Sequence, residues 1–140
     1  MTGHPGLIGN LLGYHFCESD EKTKLSLKLG EVNAFIHFAL VCGANSCPPI
    51  NVYTPDSIDK QLSISASSFV DDTTIIEGNK VSLSKLFYWY SGDFGDSIQQ
   101  ILSVISLLVG KSKRCQLLTL IKEGNYHIHY QEYDWSINGV

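Results

Sequence analysis

One run limits the possible folds of this chain more than any other: Ala34-Phe35-Ile36-His37-Phe38-Ala39-Leu40-Val41, apolar apart from a single histidine. It is short, holds aromatic and β-branched residues, and stops at Gly43. A run of this kind is predicted to be a strand covered on both faces, with Phe35 to Leu40 largely buried. Cys42 to Pro49 then combines Gly, Asn and Ser with a Pro-Pro pair, which reads as a loop leaving the strand end.

The remaining elements follow from spacing. Thr54-Pro55 is a helix start, with Ile58, Leu62, Ala66 and Phe69 on one face. Thr73–Ile76 and Lys80–Leu83 flank Gly78-Asn79 as a β-hairpin. Ser84 is placed to cap a short helix carrying Leu86, Phe87 and Tyr90 inward. Asp96 is placed to cap another, with Ile98, Ile101, Leu102, Ile105 and Leu108 as its buried stripe. A further helix fits 113–122 and closes at Gly124. Tyr126 to Tyr130 alternates as a half-exposed strand. Residues 1–15 carry four glycines and read as an irregular arm, while 19–29 fit either a short helix or a strand. The expectation is α+β: one domain over 1–140, with a small sheet around a buried strand, a β-hairpin and about four helices.

Composition narrows the function classes. The chain has 140 residues, 44% apolar and 17% charged, enough to bury one core and fold. Its formal charge of −4 leaves no basic stripe for phosphates, so nucleic acid is not an expected partner. Lys111, Lys113 and Arg114 form the one basic cluster, placed after a helix end where the dipole favours cations. No stretch reaches the roughly 20 apolar residues of a membrane span, and the opening Met1-Thr2-Gly3-His4-Pro5 has no signal-peptide pattern. Four cysteines in no zinc-finger spacing, and no Asn-x-Ser/Thr sequon, point to free thiols and a cytoplasmic address.

The loop after the apolar run is the main place for chemistry. Cys47 follows Gly43-Ala44-Asn45-Ser46, a turn whose backbone N–H groups can gather negative charge. With Cys47 or Cys42 as nucleophile, His37 or His127 as base and Asp134 as the group orienting the base, the order Cys–His–Asp is available for a hydrolase or transferase. Against this stands the plain reading, in which Cys42 is a small buried apolar residue and Cys47 a loop residue. Cys42 and Cys47 can also be read as a redox pair, although four residues separate them where catalytic dithiols generally have two. Zinc on Cys42, Cys47, His127 and His129 is chemically conceivable, but no finger spacing supports it. No metal or cofactor is expected. Tyr133 to Asn138 is rich in side chains with polar handles, and is expected to pack beside the Cys42–Pro49 loop.

Four stretches together resemble the family catalogued as domain of unknown function 547. They are Ile36 to Ile50, Val52-Tyr53-Thr54-Pro55, Leu83 to Tyr90 followed by Asp93-Phe94-Gly95, and Tyr133 to Asn138, and the resemblance reaches from about residue 20 to residue 138. It implies an α/β domain that occurs in bacteria, plants and animals, behind leucine-zipper segments in plants and elsewhere beside glutaredoxin-like and DEP modules. It implies no activity. The family's N-terminal helical segment, with a Trp/Phe-x-Asn-x-Tyr-Asn type motif, has no counterpart here. The chain is therefore expected to correspond to the latter two-thirds or so of the domain. Two function classes follow: an interaction or scaffold module binding other proteins, which is the preferred reading, and a cysteine-dependent enzyme. A thiol redox module is a third.

Overall fold

Asn33 opens the described structure by bending the chain. In the computed structural model, which describes residues 33–139, its side-chain oxygen accepts the N–H of Phe35 at 3.0 Å and starts a 3-10 helix over Ala34–Phe38. The buried central strand expected at Ala34–Val41 is therefore not formed. Phe38 is fully buried, and Ala34 and Phe35 pack partly against the core. Ile36, Leu40 and Val41 lie exposed. The physical reason is periodicity: the inward residues are spaced by three and four, as in a helix, and an Asx cap stands just ahead of them. A short apolar run is compatible with either element, and here the cap decides.

The other elements follow in the expected order, although the Thr54 side chain makes no cap and Thr73, expected in the first hairpin strand, ends the preceding helix instead. After a 3-10 turn at Pro55–Ser57, helix α1 spans Ile58–Thr73 and buries Leu62, Ser65, Ala66, Phe69 and Val70. Strands β1 (Ile75–Glu77) and β2 (Lys80–Leu83) form an antiparallel hairpin with Ile76 opposite Val81. Gly78, at φ +60°, supplies the left-handed turn. Ser84 Oγ accepts the N–H of Leu86 at 3.3 Å, beginning α2 (Leu86–Trp89), and α3 (Ser91–Phe94) follows.

Helix α4 (Ile98–Leu108) buries Ile101, Leu102, Ile105, Ser106 and Leu108. Its cap is Ser97 rather than Asp96. Ser97 Oγ accepts the N–H of Gln100 at 3.3 Å, and the Gln100 side-chain oxygen accepts the N–H of Asp96 at 2.7 Å. This is a reciprocal arrangement close to a capping box. It brings Gly95 against Gln100, where an added Cβ would lie 2.7 Å from the Gln100 Cβ.

Helix α5 (Lys111–Glu123) ends at Gly124, whose φ of +67° lets its N–H reach the Leu120 and Ile121 carbonyls. Arg114, in its first turn, donates to the Ser106 and Leu107 carbonyls at 2.7 and 3.1 Å, so the cation serves the C-terminus of α4. Strand β3 (His127–Tyr130) then pairs parallel with β2, Val81 opposite Ile128. The sheet order is β1-β2-β3, so the buried central strand is β2. The fold is α+β, with five α-helices and one three-stranded sheet among the described residues. The arm at 1–15, the 19–29 segment and Cys17 lie outside them.

Phe38 sets how this architecture is held. Its ring meets those of Phe69, Phe87 and Phe94 at centroid distances of 5.6, 5.8 and 5.7 Å, all tilted. Phe38→Ala should therefore cost about 3–5 kcal/mol. Ile36→Ala, on the exposed side of the same turn, should stay within about 0.5 kcal/mol. Urea unfolding of both variants checks this, because a strand covered on both faces would make the two losses similar.

Candidate functional site

The loop 42–49 and the tail 133–138 are held together by their backbones. Asn45 N–H donates to the Ser136 carbonyl (2.8 Å), Ser46 N–H to the Asp134 carbonyl (3.2 Å) and Asn138 N–H to the Gly43 carbonyl (2.9 Å). Ala44 and Ile137 form an antiparallel bridge. Each segment lies outside regular strands, so each has N–H and C=O groups that need partners, and the two satisfy one another. Gly43, at φ +83°, turns the loop toward the tail.

Asp134 sits at the centre of this contact. Its Oδ1 accepts the Ser136 hydroxyl at 2.6 Å and the Ser136 N–H at 2.9 Å, and its Oδ2 accepts the Asn45 amide at 3.0 Å. Its own N–H donates to Ser46 Oγ at 2.9 Å. The Ser136 bonds first, then that of Asn45, hold its carboxyl below the ordinary value.

The thiols lie on the same loop. Cys42 N–H donates to Cys47 Sγ at 3.0 Å, and the Cys47 thiol donates to the Leu40 carbonyl at 3.7 Å. Cys42 Sγ lies 3.5 Å from the Tyr133 hydroxyl. Cys42 is exposed, whereas Cys47 is only 9% exposed. Tyr133 is raised well above the usual phenol range, by burial first and then by its contacts with the thiols, so its hydroxyl is available to donate to the Cys42 sulfur. That hydroxyl, and next the Ala44 N–H, draw the Cys42 thiol below its ordinary value against the opposing effect of burial.

Tyr133 is held in turn by Trp89 and Trp135, at centroid distances of 4.9 and 4.5 Å. Trp89 and Trp135 are 5.8 Å apart, so the three rings fill one another's space and leave no cage between them. Beside the loop lies a polar recess of about 190 Å3, lined by Asn45, Ser46, Ser84, Lys85, Gln131 and Tyr133 among others.

Of the residues singled out in the sequence, Cys42, Cys47 and Asp134 come together here. His37 does not hydrogen-bond to them. Its Nε2 donates to Asp93 Oδ2 at 2.7 Å, and its ring stacks on Tyr90 at 3.9 Å and 15°. His127 opens β3, with its N–H on the Asn79 carbonyl. At about 3.3 Å per residue, the strand sets it about 10 Å from Tyr130 at the far end of β3. Among the described residues no hydrogen bond joins a cysteine sulfur to an imidazole, and no three His, Cys, Asp or Glu side chains cluster as a metal site. Tyr133 and Asp93 are the participants that sequence reasoning missed. Each acts on a residue 91 or 56 positions away, with no local pattern to announce it.

Comparison with known proteins agrees with the resemblance of the loop sequence. The family described as "Protein of unknown function, DUF547" matches residues 7–70, a segment that includes Ile36–Ile50 and Val52–Pro55. Over that segment the chain is similar to the DUF547 family. The Leu83–Gly95 and Tyr133–Asn138 stretches lie beyond the matched segment. No curated protein and no solved structure matches the chain. No helix among the described residues is long and apolar enough to cross a membrane.

Asp134 gives this site a pH signature. A carboxyl lowered in the folded state stabilises the contact above the ordinary Asp value of about 3.9. That stabilisation is lost as the pH falls through the lower folded value. Acidification should therefore release the tail and change the emission of Trp135, and Asp134→Asn should abolish this step. A fluorescence titration in which the two proteins give the same curve would refute the assignment.

Proposed function

We propose that this chain is a protein-interaction module whose docking face is the joined loop and tail. The observation that carries the reading is where apolar surface is left open. Of thirteen exposed large apolar side chains among the described residues, six are Leu40, Val41, Ile50, Val52, Trp135 and Ile137. They belong to residues 40–52 and 133–138, nineteen of the 107 described positions. Ile50, Val52 and Ile137 are 81, 84 and 77% exposed. Scattered exposed apolar residues are ordinary, whereas concentration of them on one ordered feature marks binding surfaces. The backbone bonds between loop and tail pre-order this surface, which lowers the entropy cost of binding. The partner is another protein presenting an apolar segment.

A second reading, a cysteine-dependent hydrolase or transferase, draws support from the thiols of the same loop. In it Cys47 or Cys42 is the nucleophile, His37 or His127 the base and Asp134 the orienting group. It has less support than the first. No imidazole hydrogen-bonds to a cysteine sulfur among the described residues, and His37 is already engaged by Asp93.

Selection from a displayed library of random peptides tests the interaction reading. Peptides enriched in apolar residues should bind the chain. Binding should weaken about tenfold or more in Val52→Asp and in Ile137→Asp, the loss expected when an anchor costs more than 1 kcal/mol. Leu107→Asp, on the exposed side of α4, should bind as the parent does. Selected peptides equally indifferent to all three substitutions would overturn the proposal.

A further inference from the structure

We propose that Cys42 and Cys47 are a reversible dithiol–disulfide pair, with Cys42 as the attacking thiol, Cys47 as the resolving thiol and the Tyr133 hydroxyl as donor to the Cys42 sulfur. The inference is independent of the docking reading, because it rests on the geometry of the sulfurs and not on the apolar side chains.

Geometry comes first. The chain leaves Cys42, reverses at Gly43 and closes a turn in which Cys47 N–H donates to the Ala44 carbonyl at 3.0 Å. The reversal returns the Cys47 sulfur to within 3.0 Å of the Cys42 nitrogen. Given the N–Cα bond of about 1.46 Å, the Cys42 Cα lies no more than about 4.5 Å from that sulfur. Such proximity suits a disulfide, whose Cα atoms stand roughly 4.4–6.8 Å apart, with little movement of backbone.

The two thiols are unequal in the way this chemistry requires. Cys42 is exposed, and its sulfur receives the Tyr133 hydroxyl and the Ala44 N–H, both of which favour thiolate. Cys47 is buried, and its S–H donates to the Leu40 carbonyl. An oxidant arriving from solvent therefore meets Cys42 first, and Cys47 is reached through it. Cys115, the third free cysteine among the described residues, stands exposed on α5, remote in sequence from this pair.

The co-reactant is a low-molecular-weight disulfide. The Cys42 thiolate attacks one of its sulfurs, forming a mixed disulfide and expelling one thiolate, which takes up a proton. The Cys47 thiol gives up its proton, and its sulfur attacks the Cys42 sulfur. The Cys42–Cys47 bond forms and the second thiolate leaves. The two protein thiols are oxidised and the small disulfide is reduced to two thiols, so electrons and protons balance.

The test uses the full reduced chain and limiting glutathione disulfide near neutral pH, quenched with acid and read by peptide mass. The parent should yield a Cys42–Cys47 bridge, seen as loss of two hydrogens. Cys47→Ser should hold glutathione on Cys42 as a stable adduct. Cys42→Ser should react at Cys47 at least about tenfold more slowly than the parent does at Cys42, because the Cys47 thiol is buried. Tyr133→Phe should still form the bridge, with the pH–rate profile of Cys42 moved to higher pH, a change that a merely structural tyrosine would not produce. Faster modification of Cys115 or Cys17 than of Cys42 would overturn the proposal. So would a Cys47→Ser protein without an adduct on Cys42, or a parent that gains glutathione and never forms the bridge.

Discussion

The Phe38 ring holds the described architecture together. It joins α1 through Phe69, α2 through Phe87 and α3 through Phe94, and Phe87 meets Phe94 at 4.9 Å. Tilted aromatic contacts of this kind add about 0.5–1.5 kcal/mol per pair to the burial itself. More important is their direction. Once Phe38 is seated, the 3-10 turn around it is fixed, His37 is presented to Tyr90 and Asp93, and the chain leaves at Leu40 along a defined path. The Cys42–Pro49 loop thus starts from a rigid point, although it has little regular structure of its own.

The second constraint is unpaired backbone. A loop containing two prolines cannot supply all its own hydrogen bonds, and neither can a tail that has left the sheet. Each solves the problem of the other, and Asp134, Asn45, Ser46 and Ser136 add side-chain bonds around the junction. The aromatic trio of Trp89, Tyr133 and Trp135 fixes the tail from the other direction, toward α2. Positioning of the Tyr133 hydroxyl against Cys42 is a by-product of this double attachment.

Much of this could be read in the sequence. The helices announced themselves through apolar spacing and through caps such as Ser84 and Gly124, and the hairpin through Gly78-Asn79. The loop–tail pairing was visible because both segments carried polar groups without local partners. The misreading of Ala34–Val41 has a definite origin. Hydrophobicity alone does not separate a short buried strand from a helical turn, and the deciding signal was one residue upstream, at Asn33. Lys80-Val81-Ser82-Leu83 alternates polar and apolar residues, yet three of its four residues are buried, because strands flank it on both sides. The pairing of His37 with Asp93, and of Cys42 with Tyr133, depends on tertiary packing across 56 and 91 residues and left no trace in local pattern.

The parallel pairing of β2 with β3 has a kinetic consequence. Every residue from Ser84 to Tyr126 lies between the two strands, so all of α2 to α5 must be threaded before the pair can close. The Ala44–Ile137 bridge spans a longer interval still. Contacts of such sequence separation form late, since the entropy of closing the intervening chain is lost before they contribute. During synthesis, the loop at Cys42 must therefore wait for nearly a hundred further residues before Tyr133 and Asp134 emerge to meet it. Until then its thiols carry no tyrosine neighbour, so the assembled sulfur site is a marker of a chain that has finished folding.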